Sequence, residues 1–500
     1  MELKLSKVLL LLFTFSIANP VWAIPQKTPP SPWTKVASDE GVYSVWGREY
    51  IHGSDFLPRQ IVSSGTRLLA RPITLNYQIE GDTSKSINIE KTGEETHEDG
   101  MRFFGKYEDD NLIINAKANL EYDGFYKFDI SLIQKTEAKI AKLATHISFL
   151  NKNTTRYNKF LEYDFIKQNV IPTSDIKATG EIPASENFHF NPTIWIGHKE
   201  KGLELVHETN IPFKLNKPEA THSLSRNNEF TQLITRVIDS PVQLKTSLDY
   251  SFALVVTPTK PRNINLAGLS LTSKLPKAGK KDDYCCTNQV YIGHWKRTPL
   301  HLPGIPLPAQ DKAGADKYAT HREKLQQAGV KYVPYSSLYI LPATLDLFED
   351  NPDWQAAPAR KGSKHWTEKL QVKRPIQPVS YHDEMFRNLI IDMHLEAQKE
   401  HGIEGIYFDV ATMREVGKLT KLMASRLKLE WKPTHVYYPL YSHREFLKTY
   451  WKALKTQNPD FIIVHHSASF PKISHPFLDV MVIGESVSYT HLTLPTTPYV

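Results

Sequence analysis

The chain has 500 residues, more than one ordinary hydrophobic core can serve, so we expect at least two domains. Hydrophobic residues make up 40% and aromatic residues 11%, which excludes a disordered or low-complexity chain. The net charge of +7 is small for this length and is spread along the chain, so it does not indicate a nucleic-acid-binding protein.

The N-terminus has the pattern of a secretory signal peptide. Lys4 and Lys7 precede the apolar run 8–17, and small residues up to Ala23 fit a signal-peptidase site. We therefore expect residues 1–23 to be removed and the mature protein to be exported, to the periplasm or the extracellular space. The apolar run is too short for a comfortable membrane span, so no stable membrane anchor is expected. The chain has two cysteines, adjacent in sequence, which predicts no disulfide framework.

Residues 24–258 alternate between apolar and polar side chains in the manner of strands, and turn sequences separate the segments. This pattern predicts an antiparallel β-sandwich of many strands. The acids fall in turns, and no His or Cys cluster has metal-ligand spacing, so we expect a structural or carbohydrate-contacting domain without chemistry of its own. The clearest predicted strands are 71–79, 111–116, 126–133, 193–197, 231–238 and 248–256.

Residues 259–486 alternate instead between strand-like and helical segments. That order predicts parallel strands with right-handed crossovers, for which a (β/α)₈ TIM-like barrel is the leading candidate. About five strands can be counted, whereas a closed barrel needs eight, so we expect an incomplete barrel. The predicted strands are 263–271, 330–335, 403–408, 461–464 and 477–483, and the predicted helices are 311–328, 383–399 and 444–456.

The last segment, 487–500 (VSYTHLTLPTTPYV), is rich in Thr and Pro and has no structural period. It resembles translated sequencing-adapter read-through, so we expect a C-terminally truncated chain with a non-native tail. A natural Pro/Thr linker is the alternative.

The most informative stretch is the apolar run 403–408, which ends on Asp409. An acid at the carboxyl end of a buried parallel strand occupies the usual position of a catalytic residue in an α/β barrel. The alternative is structural, because an Asp after a strand is often a helix cap or a turn residue.

Polar residues also follow the next two predicted strands: His465, His466 and Ser467 after one, and Glu485 after the other. Two carboxylates facing each other suit glycosidic bond cleavage, because one can donate a proton while the other stays ionised. We therefore predict Asp409 and Glu485 as catalytic residues, with Glu485 the acid and Asp409 the stabiliser or nucleophile; the reverse assignment stays open.

Histidines and aromatic residues near such a pair commonly contact sugars, either through hydroxyl groups or by stacking. A zinc site built from Asp409, His465 and Glu485 is an alternative, but the spacing matches no ligand motif. A Ser467 nucleophile with His466 lacks the glycine-flanked elbow. We expect a carbohydrate partner, no nucleic acid, no metal and no cofactor, and leave the oligomeric state open. The predicted substrate-binding residues are His465, His466, Tyr407, Tyr335, Trp354 and Trp366.

Several segments together have a familiar pattern: 55–75, 122–132, 191–208, 329–341, 402–411, 444–455, 464–469 and 477–485, together with Trp354. On these segments the chain resembles the glycoside hydrolase family 123-like proteins, including exported bacterial relatives of unknown function. The resemblance implies a β-sandwich followed by a TIM-like barrel that acts on glycans, the founding activity being removal of β-linked N-acetylgalactosamine. It also implies an adjacent Asp-Glu pair at a strand end and a substrate acetamido group as nucleophile. Here Val410 follows Asp409, which argues against that substrate-assisted route.

We therefore expect an exported glycoside hydrolase-like protein that cleaves a glycan or polysaccharide. The alternative is a non-catalytic carbohydrate-binding or cell-surface protein on the same scaffold.

Overall fold

A computed structural model describes most of the chain between residues 29 and 483. The predicted signal peptide and the predicted non-native tail lie outside the described residues, and so do Trp366 and Glu485. The described residues are 29–160, 163–164, 169–170, 179–263, 266, 269–272, 288–293, 301–302, 305–306, 312–342, 347–356, 376–409, 421–467 and 471–483.

The first half of the chain forms two large antiparallel sheets, as the alternating sequence predicted. The nine-stranded sheet contains, in spatial order, Thr179–Glu181, Arg156–Lys159, Thr193–His198, Lys201–Val206, Leu248–Thr257, Phe125–Gln134, Leu112–Glu121, Gly100–Glu108 and Glu90–His97. The six-stranded sheet contains Ser185–Phe188, His222–Arg226, Phe230–Ile238, Ile140–Leu150, Thr74–Ile79 and Lys85–Ile87.

One hydrophobic core lies between these sheets. In Leu112–Glu121 every second side chain is buried, which is the burial expected of a strand with one face on a core. Thr145 and Tyr250, one from each sheet, approach to 3.1 Å between their hydroxyl oxygens inside this core. The two sheets therefore pack in a sandwich-like arrangement.

Smaller sheets flank this arrangement. A five-stranded antiparallel sheet precedes it and consists of Ala37–Asp39, Val42–Val45, Arg48–Ile51, Gln60–Ser63 and Thr66–Arg67. Three two-stranded sheets pair Tyr163–Asp164 with Asn169–Val170, His301–Leu302 with Ile305–Pro306, and Ile340–Pro342 with Ile376–Pro378.

The second half contains a parallel sheet whose six strands are neighbours in chain order. A closed eight-stranded barrel is not confirmed, because among the described residues no pairing joins the two outer strands. The strands are Leu269–Thr272, Asn288–Gly293, Lys331–Ser337, Gly405–Asp409, Ile462–Ser467 and Val480–Ile483. The helices are Lys312–Gln327, Leu347–Asp350, Glu384–His401, Lys421–Arg426 and Leu440–Gln457, with 3₁₀ turns at Asn151–Asn153, Pro218–Ala220, Pro352–Trp354 and Lys472–Phe477.

The sequence predicted most of these elements, with shifted ends. The helix Leu440–Gln457 begins four residues before the expected start, directly after Pro439. The last strand begins at Val480, three residues after the expected start, because Phe477 is the final residue of the 3₁₀ turn Lys472–Phe477. The strand Asn288–Gly293 was not predicted.

The helix Glu384–His401 shows how local sequence sets element ends. The Asp383 side chain accepts a hydrogen bond of 2.9 Å from the Phe386 amide, which caps the first turn. Gly402 ends the helix with φ +56°, a left-handed conformation that glycine adopts without steric cost. The next strand, Gly405–Asp409, starts three residues later.

The two halves are joined by a second hydrophobic core. It unites Phe125, Val206 and Val255 from the outer face of the nine-stranded sheet with side chains of the helix Leu440–Gln457, such as Tyr450. The outer face of the nine-stranded sheet is thus an internal contact surface over this area.

Candidate functional site

Asp409 is the last residue of its strand, Gly405–Asp409, and its side chain is 14% exposed. The amide of Leu338, which follows the neighbouring strand Lys331–Ser337, donates a 3.1 Å hydrogen bond to the Asp409 carbonyl. The main chain at Asp409 is therefore fixed, while its carboxylate lies at the carboxyl edge of the parallel sheet.

Side chains from the strands on both sides bind the Asp409 carboxylate. The Tyr335 hydroxyl donates a hydrogen bond to Oδ2, and Nδ1 of His466 lies 2.8 Å from Oδ1. We call Tyr335, Asp409 and His466 the carboxylate cluster. Tyr335 is 8% exposed and the His466 side chain 13%, so the cluster sits largely within the protein.

Strand register explains why these three side chains meet. Tyr335 pairs with Tyr407 and Phe408 pairs with His465, all in parallel strands. Because side chains alternate between the faces of a strand, Tyr335, Tyr407, Asp409 and His466 share one face. Beneath the cluster that face is apolar, with Val333, Ile462, Val464 and Val480 buried together.

Tyr407 extends the cluster with an aromatic surface. Its ring lies 5.5 Å from the Tyr335 ring at an interplanar angle of 26° and 5.9 Å from the His466 ring. The structure thus brings four of the predicted site residues together: Asp409, His466, Tyr335 and Tyr407.

His465 is not part of this group. It is 3% exposed and lies on the opposite, helix-facing side of the sheet, where its ring packs 5.6 Å from His443. Burial, reinforced by His443 and His466, holds the pKa of His465 well below the ordinary histidine value. Neighbouring residues of a strand point to opposite faces, so only one member of a His-His pair can reach Asp409.

Trp354 also lies elsewhere. Its indole Nε1 donates a 3.1 Å hydrogen bond to the cap residue Asp383, and its ring packs 5.2 Å from Phe386. These contacts give Trp354 a place in the core at the start of the helix Glu384–His401. Trp366 and Glu485, also predicted for the site, lie outside the described residues.

Sequence reasoning expected Tyr335 to contact substrate and did not anticipate its hydrogen bond to Asp409. The two-residue period along each strand contains the necessary signal, since it assigns Tyr335 and Asp409 to one face once the two strands are aligned. That alignment joins residues far apart in the chain, Tyr335 and Asp409 being separated by 74 positions, so neither strand alone predicts it.

The carboxylate cluster holds the Asp409 carboxyl group in a fixed orientation. Hydrogen bonds to an ionised carboxylate are among the stronger ones, so Tyr335 and His466 both restrict the Asp409 side chain. Toward an ionised Asp409, Nδ1 of His466 acts as the donor, which places a proton on that ring nitrogen. Such a carboxylate suits stabilisation of, or attack on, a developing positive charge.

Within the part of the chain that the structure describes, no group of three or more His, Cys, Asp or Glu side chains is arranged to hold a metal ion. Across the same residues, none of the helices has the length and apolar character needed to cross a membrane.

One family model matches the antiparallel part of the chain. Residues 36–258 match the family model described as glycoside hydrolase 123, third domain. This match confirms the resemblance to glycoside hydrolase family 123 proteins over the antiparallel part of the chain. The matched residues end before the parallel sheet that carries Asp409. No curated protein matches the chain.

Solved structures of glycosidases align with the chain at low identity. The galactosidase domain of an α-galactosidase–sucrose kinase aligns over 83% of this chain and 63% of its own, with 9% identity and a TM-score of 0.39. A family GH36 α-galactosidase from Geobacillus stearothermophilus aligns over 83% of this chain and 64% of its own, with 9% identity and a TM-score of 0.40. A family GH31 sulfoquinovosidase from E. rectale aligns over 89% of this chain and 68% of its own, with 10% identity and a TM-score of 0.38. The chain spans less than two thirds of the length of the two galactosidase structures.

Proposed function

We propose that this protein is a glycoside hydrolase that cleaves a glycosidic bond in a glycan or polysaccharide, with Asp409 as one of two catalytic carboxylates. The observation that carries the proposal is the carboxylate cluster: an acid at the carboxyl end of a parallel strand, oriented by Tyr335 and His466. The match of residues 36–258 to a domain of glycoside hydrolase 123 supports the same class of reaction.

In this proposal Asp409 is the ionised member of the pair. Its two oxygens both receive hydrogen bonds, which suits a group that stabilises or attacks the anomeric carbon as positive charge develops there. A carboxylate bound in this way is a poor proton donor to a leaving oxygen, so the acid must be another group. The residue we propose for that role is Glu485, which follows in sequence the strand Val480–Ile483, on the far side of the His466 strand from Asp409.

Tyr407 and His466 are the residues we propose for substrate contact. Tyr407 is half-buried beside Asp409, and its ring is the side chain of this face suited to lie against a sugar ring. The His466 ring lies beside Asp409 on the same face of the sheet, so we propose that it contacts the substrate next to the reacting carbon. Tyr335 is assigned to orienting Asp409.

The proposed architecture follows from the same strands. The parallel sheet has six strands in chain order, with helices between several of them. This is the arrangement expected of part of a (β/α)₈ barrel. We propose residues 24–258 as the sandwich domain and 259–486 as the barrel-type domain. We also propose that residues 1–23 are removed as a signal peptide and that the protein is exported to a compartment in which polysaccharides occur.

The test uses the full chain and a panel of 4-nitrophenyl glycosides that covers the common sugars in both anomeric configurations. We expect hydrolysis of at least one of them, reduced at least about 100-fold in Asp409→Asn, a variant of almost unchanged size. Asp316→Asn, which changes an exposed acid on the helix Lys312–Gln327, is the matched control and should keep full activity.

Binding of an oligosaccharide without hydrolysis would instead favour a carbohydrate-binding protein on the same scaffold. Hydrolysis that persists in Asp409→Asn would exclude Asp409 as a catalytic residue.

A further inference from the structure

The contact between the two halves of the molecule buries acidic side chains that have no role in the proposed reaction. Glu204 lies in the strand Lys201–Val206 and Glu208 follows it, both on the outer face of the nine-stranded sheet. That face would be open to water if the two halves separated. Glu204 is 1% exposed, and the carboxyl group of Glu208 lies inside the contact although the residue as a whole is half-buried.

Glu208 is the centre of a compact set of hydrogen bonds between residues 208–210 and residues 434–441. Its carboxyl oxygen Oε1 accepts a 2.7 Å bond from the Tyr441 amide, and its carbonyl accepts one of 2.7 Å from the Tyr438 amide. We call the contact between these two segments the clamp.

Three further bonds complete the clamp. The Thr209 hydroxyl donates to the Val436 carbonyl at 2.7 Å. The Asn210 side chain donates to the Thr434 carbonyl at 3.0 Å and accepts from the Val436 amide at 2.9 Å. The clamp therefore connects the nine-stranded sheet directly to the residues that lead into the helix Leu440–Gln457.

That helix also lies behind the site. It carries His443, whose ring packs on His465, the neighbour in sequence of the cluster residue His466. Motion of this helix away from the nine-stranded sheet would thus disturb the strand Ile462–Ser467, which carries His466.

The charges that face the Glu208 carboxyl are few. Lys127 and Asp129 come from Phe125–Gln134, which lies one strand beyond Leu248–Thr257 in the same sheet. Lys127 is paired with Asp129 at 2.9 Å. From the other half, Tyr437 hydrogen-bonds the carboxyl and Tyr441 presents its amide. Burial, only partly offset by these hydrogen bonds and by Lys127, raises the pKa of Glu208 to about 8.

Glu204 repeats the arrangement four residues earlier on the same face. It accepts a 3.2 Å bond from the Ile473 amide and faces Lys472. Burial raises its pKa to about 7.

Lys260 is a buried cation in the same contact. It donates to the Leu478 carbonyl and lies 4.2 Å from the Trp451 ring. The charged side chains that face it are Asp479 and Lys455.

We propose that the clamp is a pH-sensitive contact, closed while Glu208 is a neutral acid and loosened when Glu208 ionises. This proposal for the clamp is independent of the glycosidase activity proposed for the carboxylate cluster. The two features are connected only through the helix Leu440–Gln457, which adjoins the clamp and lies behind the cluster.

The sign follows from where the proton is bound. In the open form Glu208 is solvated and titrates near 4.5, whereas in the closed form its pKa is about 8. Between these two values the closed form holds a proton that the open form releases, so rising pH favours opening. Between the two pKa values, the equilibrium constant for opening rises about tenfold for each pH unit. Above the upper pKa it no longer changes with pH. Lys260 acts in the opposite direction only above about pH 8, the value to which burial lowers its pKa.

The test is amide hydrogen exchange of the full chain at pH 5.5 and 7.5, corrected for the intrinsic dependence of exchange on pH. The reporters are the three amides that donate in the clamp, those of Val436, Tyr438 and Tyr441. We expect their protection to fall by at least about tenfold at the higher pH. Glu208→Gln, which can still accept from the Tyr441 amide but does not titrate, should lose most of that dependence.

Glu229→Gln is the matched control, because Glu229 is 72% exposed and lies outside the contact; it should behave as the unmodified protein. Equal protection at both pH values in the unmodified protein would overturn the proposal even if the Glu208 variant failed to fold. A Glu208→Gln variant with the unmodified pH dependence would overturn it as well. Neither result depends on whether the protein hydrolyses a glycoside.

Discussion

His466 and Asp409 form a contact between neighbouring parallel strands, with His466 Nδ1 2.8 Å from Asp409 Oδ1. The pair exists because His466 follows His465, the register partner of Phe408, just as Asp409 follows Phe408. One step along each strand places both polar groups at the same edge and on the same face. The contact is therefore a direct consequence of strand register.

Tyr335→Phe tests whether the hydroxyl bound to Asp409 matters for turnover. The change keeps the ring against Tyr407 and removes one hydrogen bond to the carboxylate. A hydrogen bond to a charged group contributes about 1.5–3 kcal/mol, so we expect kcat to fall about 10- to 100-fold with little change in KM. Tyr107→Phe, which removes a similar hydroxyl bonded to Asp109 in the antiparallel half, should leave kcat unchanged. An equal loss in both variants would mean that Tyr335 acts only on stability.

Arg444→Met tests the buried ion cluster between the two halves. Arg444 lies 2.6 Å from Asp123, whose side chain is fully buried, and 3.0 Å from Glu121. Loss of the cation leaves these acids unpaired within the protein, for which we expect about 3–5 kcal/mol of destabilisation in urea unfolding. Arg71→Met removes an exposed pair with Glu229 and should cost no more than about 1 kcal/mol. Similar losses for the two variants would contradict this account of the contact.

The same cluster predicts how stability changes in acid. Although burial acts in the other direction, Arg444 and Lys448 lower the pKa of Glu121 to about 2. A depressed acid adds stability above its unfolded value near 4.5, and this contribution is lost as the pH falls toward 2. We therefore expect the urea midpoint to decrease between pH 5 and pH 3, and to decrease less in Glu121→Gln. A variant that remains as acid-sensitive as the unmodified protein would place the sensitive group elsewhere.

Gly402→Ala tests the junction between the helix Glu384–His401 and the Asp409 strand. Gly402 has φ +56°, and an added Cβ would lie 2.0 Å from a guanidinium nitrogen of Arg322. We expect more destabilisation than in Gly329→Ala, where φ is +66° but no atom lies within 4 Å of the added carbon. The left-handed conformation alone costs about 1 kcal/mol, so the difference between the two variants measures the steric contact. Equal thermal unfolding of the two would show that Arg322 moves aside without cost.

Local sequence was sufficient to predict a helix or strand whose form depends on its own residues. Apolar residues at helical spacing, with acids in the first turn and Gly402 past the end, predicted the helix that the structure places at Glu384–His401. Two-residue alternation predicted the strands of the antiparallel half, for example Leu248–Thr257. The strand Asn288–Gly293 was missed because its polar start gives it neither an alternating nor a continuously apolar pattern.

Contacts between distant segments were not predictable in the same way. Asp123 and Arg444 are 321 residues apart, and each reads in sequence as an ordinary surface charge. Sequence placed Asp409 and His466 at neighbouring strand ends but could not separate His466 from His465, because that choice depends on which face of the sheet packs on helices. Burial of Glu208 likewise depends on the docking of the other half.

The account rests most directly on Asp409. The decisive measurement is the initial rate of glycoside hydrolysis by the full chain and by Asp409→Asn, on the substrate that the panel identifies and at equal concentrations of folded protein. We expect the rate of the variant to be lower by at least about 100-fold. A rate within about twofold of the unmodified protein would contradict the account.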